Sequence, residues 1–229
     1  RIIFKFADDR RPGDFDKEKH DRLAEKIAEE SMVLLKNDGL LPLPKAGKKI
    51  AFIGKFAQKP RFQGGGSSHI NSCKITGALE AAGQLPEITS DITYAQGYDT
   101  AEDRTDPALL AEAVKAAEEA DVAVIFAGLP DAFESEGYDR SHMQMPECQN
   151  ELIREILRVQ KNTVVVLHNG SPVEMPWAGD VNAILESYLC GQAVGAAQVR
   201  LLFGLANPCG KLAETIPLKL QDKPSYLNF

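Results

Sequence analysis

Four carboxylates crowd nine residues of this chain, Asp131, Glu134, Glu136 and Asp139, in the run Asp131-Ala132-Phe133-Glu134-Ser135-Glu136-Gly137-Tyr138-Asp139-Arg140. Groups of this type can do general acid–base work, giving a proton to a leaving oxygen and taking one back from water. Gly137 permits a backbone shape that other residues resist. The run follows a strongly apolar stretch, residues 122–128, which ends Gly128-Leu129-Pro130. Open α/β sheets place their ligands beyond the carboxyl ends of their strands. A solvated surface loop is the plain alternative, since charged side chains are mostly exposed. Hydrolysis of a glycosidic bond needs two carboxyl groups flanking the sugar, one protonated and one ionised. One tight loop projects its side chains into one space, so it supplies at most one of such a pair.

A second candidate is Gln63-Gly64-Gly65-Gly66-Ser67-Ser68-His69. Its backbone N–H groups could cradle an anion. Equally, Gly65 and Gly66 could let the backbone approach a ligand while Ser67 and Ser68 offer hydroxyls; a plain flexible loop remains open. His69 is the one histidine beside small polar residues and a candidate ligand contact. His168 stands at a strand end, where a structural imidazole is usual. His20 falls in an exposed helix start, and His142 on the shoulder of the acidic loop. Nucleotide chemistry fits poorly: the first core strand runs into Gly54-Lys55-Phe56-Ala57, without the G-x-G-x-x-G or phosphate-loop pattern. No G-x-S-x-G nucleophile elbow exists either.

The elements that must position these loops alternate. Apolar, β-branched runs at 49–54, 91–95, 122–127, 163–167 and 182–187 predict five parallel strands, and 212–216 a short sixth of undetermined direction. Helical spacing predicts helices from about Asp14 or Asp16 to Leu35, then over 75–82, 107–120 with Asp106 as cap, 147–160 and 192–203. Asn37-Asp38-Gly39 is read as the stop of the first helix. The fold class is therefore α/β: a three-layer α/β sandwich with a mostly parallel sheet of about six strands.

The bulk composition excludes several partners. The chain has 229 residues, 44% hydrophobic and 26% charged, with net charge −7. That balance argues against nucleic acid or an anionic membrane as partner, and no apolar run approaches the ~20 residues of a membrane span. Cys73, Cys148, Cys190 and Cys209 show no C-x-x-C spacing, so neither a metal site nor a disulfide framework is expected. Buried reduced thiols lean towards a cytoplasmic protein. The chain opens Arg1-Ile2-Ile3-Phe4 without an initiator Met and stops at Phe229, which reads as a piece of something longer.

Glu134-Ser135-Glu136-Gly137-Tyr138-Asp139-Arg140, followed by Met145-Pro146 and Gln149-Asn150-Glu151-Leu152-Ile153, resembles the acid/base loop of glycoside hydrolase family 3. The likeness extends along the chain. Ala28-Glu29-Glu30-Ser31-Met32-Val33-Leu34-Leu35-Lys36-Asn37 resembles the helix entering that family's second domain, and Gln63-Gly64-Gly65-Gly66-Ser67-Ser68 its sugar-facing glycine loop. Asn169-Gly170-Ser171-Pro172, Gly191-Gln192, Phe203-Gly204 and Asn207-Pro208 also fit. Cys209 stands where a serine is more usual, and Gln198-Val199-Arg200 departs from the common pattern.

The resemblance implies a β-glucosidase-like retaining enzyme that hydrolyses terminal nonreducing β-D-glycosyl residues without metal or organic cofactor. It implies that Glu136 is the acid/base and that Ser67, with Gly65, Gly66 and His69, lies near the bound carbohydrate; Glu134 ranks below Glu136. The nucleophilic aspartate belongs to a TIM-like barrel domain that this sequence lacks. Residues 1–13 are then a linker from that barrel, and residues 14–229 the α/β sandwich domain. A noncatalytic carbohydrate-binding or structural accessory domain is the alternative.

Overall fold

The computed structural model describes residues 15–227. In chain order the elements are α1 (Lys17–Ser31), β1 (Val33–Asn37), β2 (Lys49–Ile53), α2 (Lys55–Gln58), α3 (Ala78–Gln84), β3 (Asp91–Ala95), α4 (Pro107–Glu118), β4 (Val122–Gly128), α5 (Glu147–Val159), β5 (Thr163–His168), β6 (Ala183–Glu186) and α6 (Val194–Leu202). One six-stranded sheet runs β1-β6-β5-β4-β2-β3. The five expected strands are mutually parallel, and β1 lies antiparallel on β6. Every residue of β4 and β5 is buried, as the middle of a parallel sheet covered on both faces requires. α1, α6, α3 and α2 pack on one another as one layer, and α4 with α5 as the other.

Side-chain caps fix the starts of α1 and α4. Asp16 Oδ1 accepts from the Lys19 N–H at 2.9 Å. Asp106 Oδ1 accepts from Ala108 and Leu109, with Pro107 at the first helical position.

Four expectations need correction. The first helix ends at Ser31, not Leu35, and the next residues form β1. An apolar stretch such as Val33-Leu34-Leu35 suits helix or strand locally, and the open edge of β6 decides it. Asn37 closes β1 instead of a helix: its Oδ1 accepts from the N–H groups of Gly39 and Leu41. The expected strand at 212–216 is absent, and Leu212 is exposed; β1 takes the sixth place. α3 begins at Ala78, because Thr76 is held by backbone bonds to Gln192 and Gly195 at the start of α6. The linker at residues 1–13 and a helix start at Asp14 lie outside the described residues.

The sheet has a topological switch. From β2 the chain crosses to β3 on one side, then returns past β2 to β4 on the other. The loops leaving β2 and β4 therefore diverge to opposite faces, opening a crevice between their carboxyl ends. At that end β4 is fixed to β5. Gly128 pairs with His168, has φ +145°, and a Cβ there would lie 2.1 Å from the His168 carbonyl oxygen. Its N–H donates to Gln149 Oε1 at 2.8 Å. The acidic run leaves the sheet from this point.

Candidate active site

The glycine-rich loop and the acidic loop lie against each other over the crevice. At their tips, the Ser67 N–H donates to Glu136 Oε2 and the Ser67 hydroxyl to Glu136 Oε1 at 2.8 Å. These two donors hold the exposed Glu136 carboxyl below the usual carboxylate range. Gly66 sits at φ +71°, and a Cβ there would come within 1.9 Å of Glu136 Oε2. A Cβ on Gly65 would lie 3.2 Å from Ser135 Oγ. The glycines thus admit the acidic loop itself, a neighbour that sequence reasoning did not foresee. Tyr138 closes the acidic loop by donating to the carbonyls of Asp131 and Ala132.

Glu134 is placed differently. Its side chain is 19% exposed and accepts from Arg61 Nη1 at 2.5 Å, the Gly170 N–H at 2.9 Å and Ser171 Oγ at 2.5 Å. Burial pushes its pKa up, but Ser171, Gly170 and Arg61 together outweigh burial and leave it lowered. Arg61 was missed in the sequence. A buried arginine looks like any other until its partners are known, and these lie about 70 residues away.

Beneath both loops lies a buried polar layer. His168 is fully enclosed, and burial lowers it to about 4. The neutral ring donates from Nδ1 to the Arg61 carbonyl and accepts at Nε2 from the Gln198 amide. His168 is therefore structural, as its strand-end position suggested. Glu186 ends β6 fully buried, accepting from the Tyr188 N–H at 2.9 Å and Asn169 Nδ2 at 3.1 Å. Burial raises it to about 8, against partial relief from those donors.

These two groups give stability a pH dependence of definite sign. The folded chain holds the Glu186 proton more tightly than the unfolded chain, whose value is 4.5. That contribution is full below the unfolded value and is lost as pH rises through about 8. His168 acts oppositely: stability rises between about 4 and its unfolded value of 6.5, then stays constant. Between those upper limits only Glu186 changes, so stability falls with rising pH by at most ~1.4 kcal/mol per unit. Thermal melts from pH 6.5 to 8 measure it. Glu186→Gln flattens the fall, and an equal fall in both proteins removes Glu186 as its source.

A cleft of about 370 Å³ opens at the β2–β4 crevice, lined in part by Lys55, Lys59, Arg61, Gln63, His69 and Asp131. His69 is exposed on its rim, with Nδ1 3.1 Å from Gln63 Nε2. Neither Glu136 nor Ser67 lines this cleft. The structure thus brings Glu136, Ser67, Gly65 and Gly66 together and leaves His69 to one side. Two cysteines depart from the buried-thiol expectation: Cys73 and Cys209 are exposed, and all four are free. Among the described residues no helix is long and apolar enough to cross a membrane.

Comparison with known proteins agrees with this architecture. The description "Glycosyl hydrolase family 3 C-terminal domain" matches residues 32–229. Thermostable beta-glucosidase B of Acetivibrio thermocellus is 52% identical over 231 residues, covering 100% of this chain and 30% of that protein. An exo-alpha-(1->6)-L-arabinopyranosidase of Bifidobacterium longum is 46% identical, over 94% of this chain and 29% of its own length. The chain thus spans about 30% of the length of these curated relatives. The crystal structure of a Bifidobacterium adolescentis GH3 beta-glucosidase superposes with TM-score 0.88 at 46% identity, covering 94% of this chain and 32% of that one. On these matches the chain belongs to glycoside hydrolase family 3, of which it carries the C-terminal domain.

Proposed function

We propose that this chain is the acid/base-bearing domain of a β-glucosidase-like retaining glycosidase, with Glu136 as the acid/base. One observation carries the choice. Glu136 alone of the two central carboxylates is exposed and held only through Ser67, whereas Glu134 is enclosed by three donors. In the reaction Glu136 protonates the leaving glycosidic oxygen, then takes a proton from the water that releases the glycosyl-enzyme. Ser67 favours the ionised form, which suits the second half. The first half needs a proton on Glu136, and a sugar that displaces Ser67 and excludes water raises its pKa. The Gly65–Gly66–Ser67 backbone then borders the sugar, with His69 on the rim.

Residues 1–13 are proposed to lead from an upstream TIM-like barrel that supplies the nucleophilic aspartate, and residues 14–229 to form the sandwich domain. The substrate class is a terminal nonreducing β-D-glycosyl residue. The names of two relatives differ in the sugar, one a beta-glucosidase and the other an L-arabinopyranosidase. Labelling the full-length enzyme with an activated 2-deoxy-2-fluoro-β-glucoside tests the division of labour. The covalent label is expected on a carboxylate outside residues 1–229, and a labelled peptide within them overturns the proposal.

Gly66 offers a second test. In Gly66→Ala the left-handed backbone costs ~1–2 kcal/mol, and the new methyl displaces Glu136. Activity should suffer more than stability, losing roughly tenfold or more, since a misplacement of ~1 Å can cost ~10²-fold. kcat/KM on a disaccharide beside a thermal melt measures both, and an unchanged kcat/KM makes the contact dispensable.

A further inference from the structure

Two contacts join the loops over the crevice, and they differ in kind. The tip contact, Ser67 to Glu136, is exposed and has a single residue on each side. The root contact is multiple and centres on a buried arginine. The Arg61 side chain is 4% exposed, and four of its N–H bonds go to residues 129–134, where the acidic loop leaves the sheet. Nε donates to Asp131 Oδ1 at 3.0 Å, Nη1 to the Leu129 carbonyl at 3.0 Å and to Glu134 Oε2 at 2.5 Å, and Nη2 to the Glu134 carbonyl at 3.0 Å.

Glu134 is fixed from the far side too. Gly170 and Ser171, just beyond β5, donate to its two oxygens, and a Cβ on Gly170 would meet both oxygens at 3.1 Å. Ser171 Oγ in turn accepts from Arg140 Nη1 at 2.9 Å, at the end of the acidic loop. One carboxylate therefore binds together the segment entering the glycine loop, both ends of the acidic loop and the turn after β5.

We infer that Arg61 and Glu134 are positioning residues for Glu136, a buried clamp that fixes where the acidic loop leaves the sheet while its tip stays free to exchange Ser67 for substrate. The inference rests on the acid/base reading of Glu136. Three features separate positioning from direct participation. Glu134 has its oxygens occupied by three donors, so it has little left for a leaving group. Arg61 has four of the five N–H bonds of a guanidinium committed within the protein. Both contacts lie at the root of the loop, and Glu136 follows Glu134 by two residues. A general acid must sit within about 2.6–3.2 Å of the oxygen it protonates, so a loop root that shifts leaves the acid intact but out of reach.

The test uses the full-length enzyme and aryl glycosides graded from good to poor leaving groups, with a disaccharide at the poor end. Arg61→Lys keeps the charge but loses the fork, and Ser171→Ala removes one donor to Glu134 while leaving Arg61 in place. Acid assistance matters most when the leaving group is poor. Both variants should therefore lose about 10–10²-fold in kcat/KM on the disaccharide and roughly threefold or less on the best aryl leaving group, approaching the selective deficit of a lost acid. Melts verify folding, and if Arg61→Lys does not fold, Ser171→Ala carries the decision. A loss equal across all leaving groups, or none in a folded variant, overturns the inference. Glu136→Gln run alongside separates the two claims. If it shows no leaving-group selectivity, the acid/base reading itself fails. If it does and the clamp variants do not, only the clamp fails.

Discussion

Glu136→Gln in the full-length enzyme lowers kcat/KM on a disaccharide by about 10²–10⁴-fold, the usual contribution of a general acid, and leaves kcat/KM on an activated aryl glycoside nearly untouched. The asymmetry follows from what the proton does. A sugar hydroxyl leaves as a strongly basic alkoxide unless it is protonated as the bond breaks; a nitrophenolate leaves unaided. The second step differs again, because water attacking the glycosyl-enzyme needs a base whatever the first leaving group was. On the activated substrate kcat therefore falls while kcat/KM holds, and the intermediate accumulates as a burst. Azide needs no base, and it enters where the carboxylate was, so it restores kcat and yields the glycosyl azide. Near-normal turnover of the disaccharide removes Glu136 from the role. The isosteric amide also keeps the Ser67 hydroxyl and amide occupied, so loss of fold does not confuse the result. Were Glu134→Gln to show the larger selective loss with azide rescue, the assignment would reverse.

How much of this was legible in the sequence depends on whether a residue's neighbour is close along the chain. All five parallel strands were found at their places: burial on both faces forces near-continuous apolar runs in β2, β4, β5 and β6, and alternating Ile92 and Tyr94 mark the half-covered edge strand β3. β1 was not, because Val33-Leu34-Leu35 continues the apolar pattern of α1 and only the open edge of β6 makes it a strand. The outer face of α1 shows the same limit. Leu23 and Ile27, apolar residues at helical spacing, are 55% and 56% exposed, while Glu25 and Glu29 of the inner side pair with Arg200 of α6. That pairing also gives the departure at Gln198-Val199-Arg200 a physical reason, with Gln198 serving His168 from the same helix.

The candidate site divides along the same line. Its two loops were recognisable from composition, since four carboxylates or three glycines in a row need no partner to be seen. The ranking of Glu136 over Glu134 came from resemblance, and its physical basis is tertiary: three donors on one carboxylate and a single exposed residue on the other. Gly66 was read as room for a ligand, whereas the atom nearest to a Cβ there belongs to Glu136. Arg61 carried no local signal, although it holds the whole arrangement at its root.

The 229-residue polypeptide by itself is expected to melt cooperatively and to hydrolyse no aryl β-glucoside above background. Folding follows from closure of the core. Both faces of β4 and β5 are covered, and α1, α3 and α6 interlock with few buried polar atoms unpaired among the described residues. Inactivity follows from the carboxylates. A retaining glycosidase needs its two carboxyl groups about 5–5.5 Å apart across the scissile bond, one to protonate and one to attack. Glu134 is ionised but enclosed by Arg61, Gly170 and Ser171. Asp131 is paired to Arg61 at the root of the same loop, and Glu186 is buried beneath it. Asp139 shares the loop of Glu136, and side chains from one tight loop project into one space, so neither it nor Asp131 faces Glu136 across a scissile bond. What remains is a general acid alone, contributing about 10²–10⁴-fold, against the roughly 10⁶–10¹⁷-fold by which whole enzymes exceed the uncatalysed rate. Background hydrolysis of a stable glycoside multiplied by the smaller factor stays below detection. The purified polypeptide is assayed beside its own Glu136→Gln variant after a second round of purification. Turnover that persists and disappears in the variant would show a complete site within these residues, and the nucleophile would then have to be sought among them.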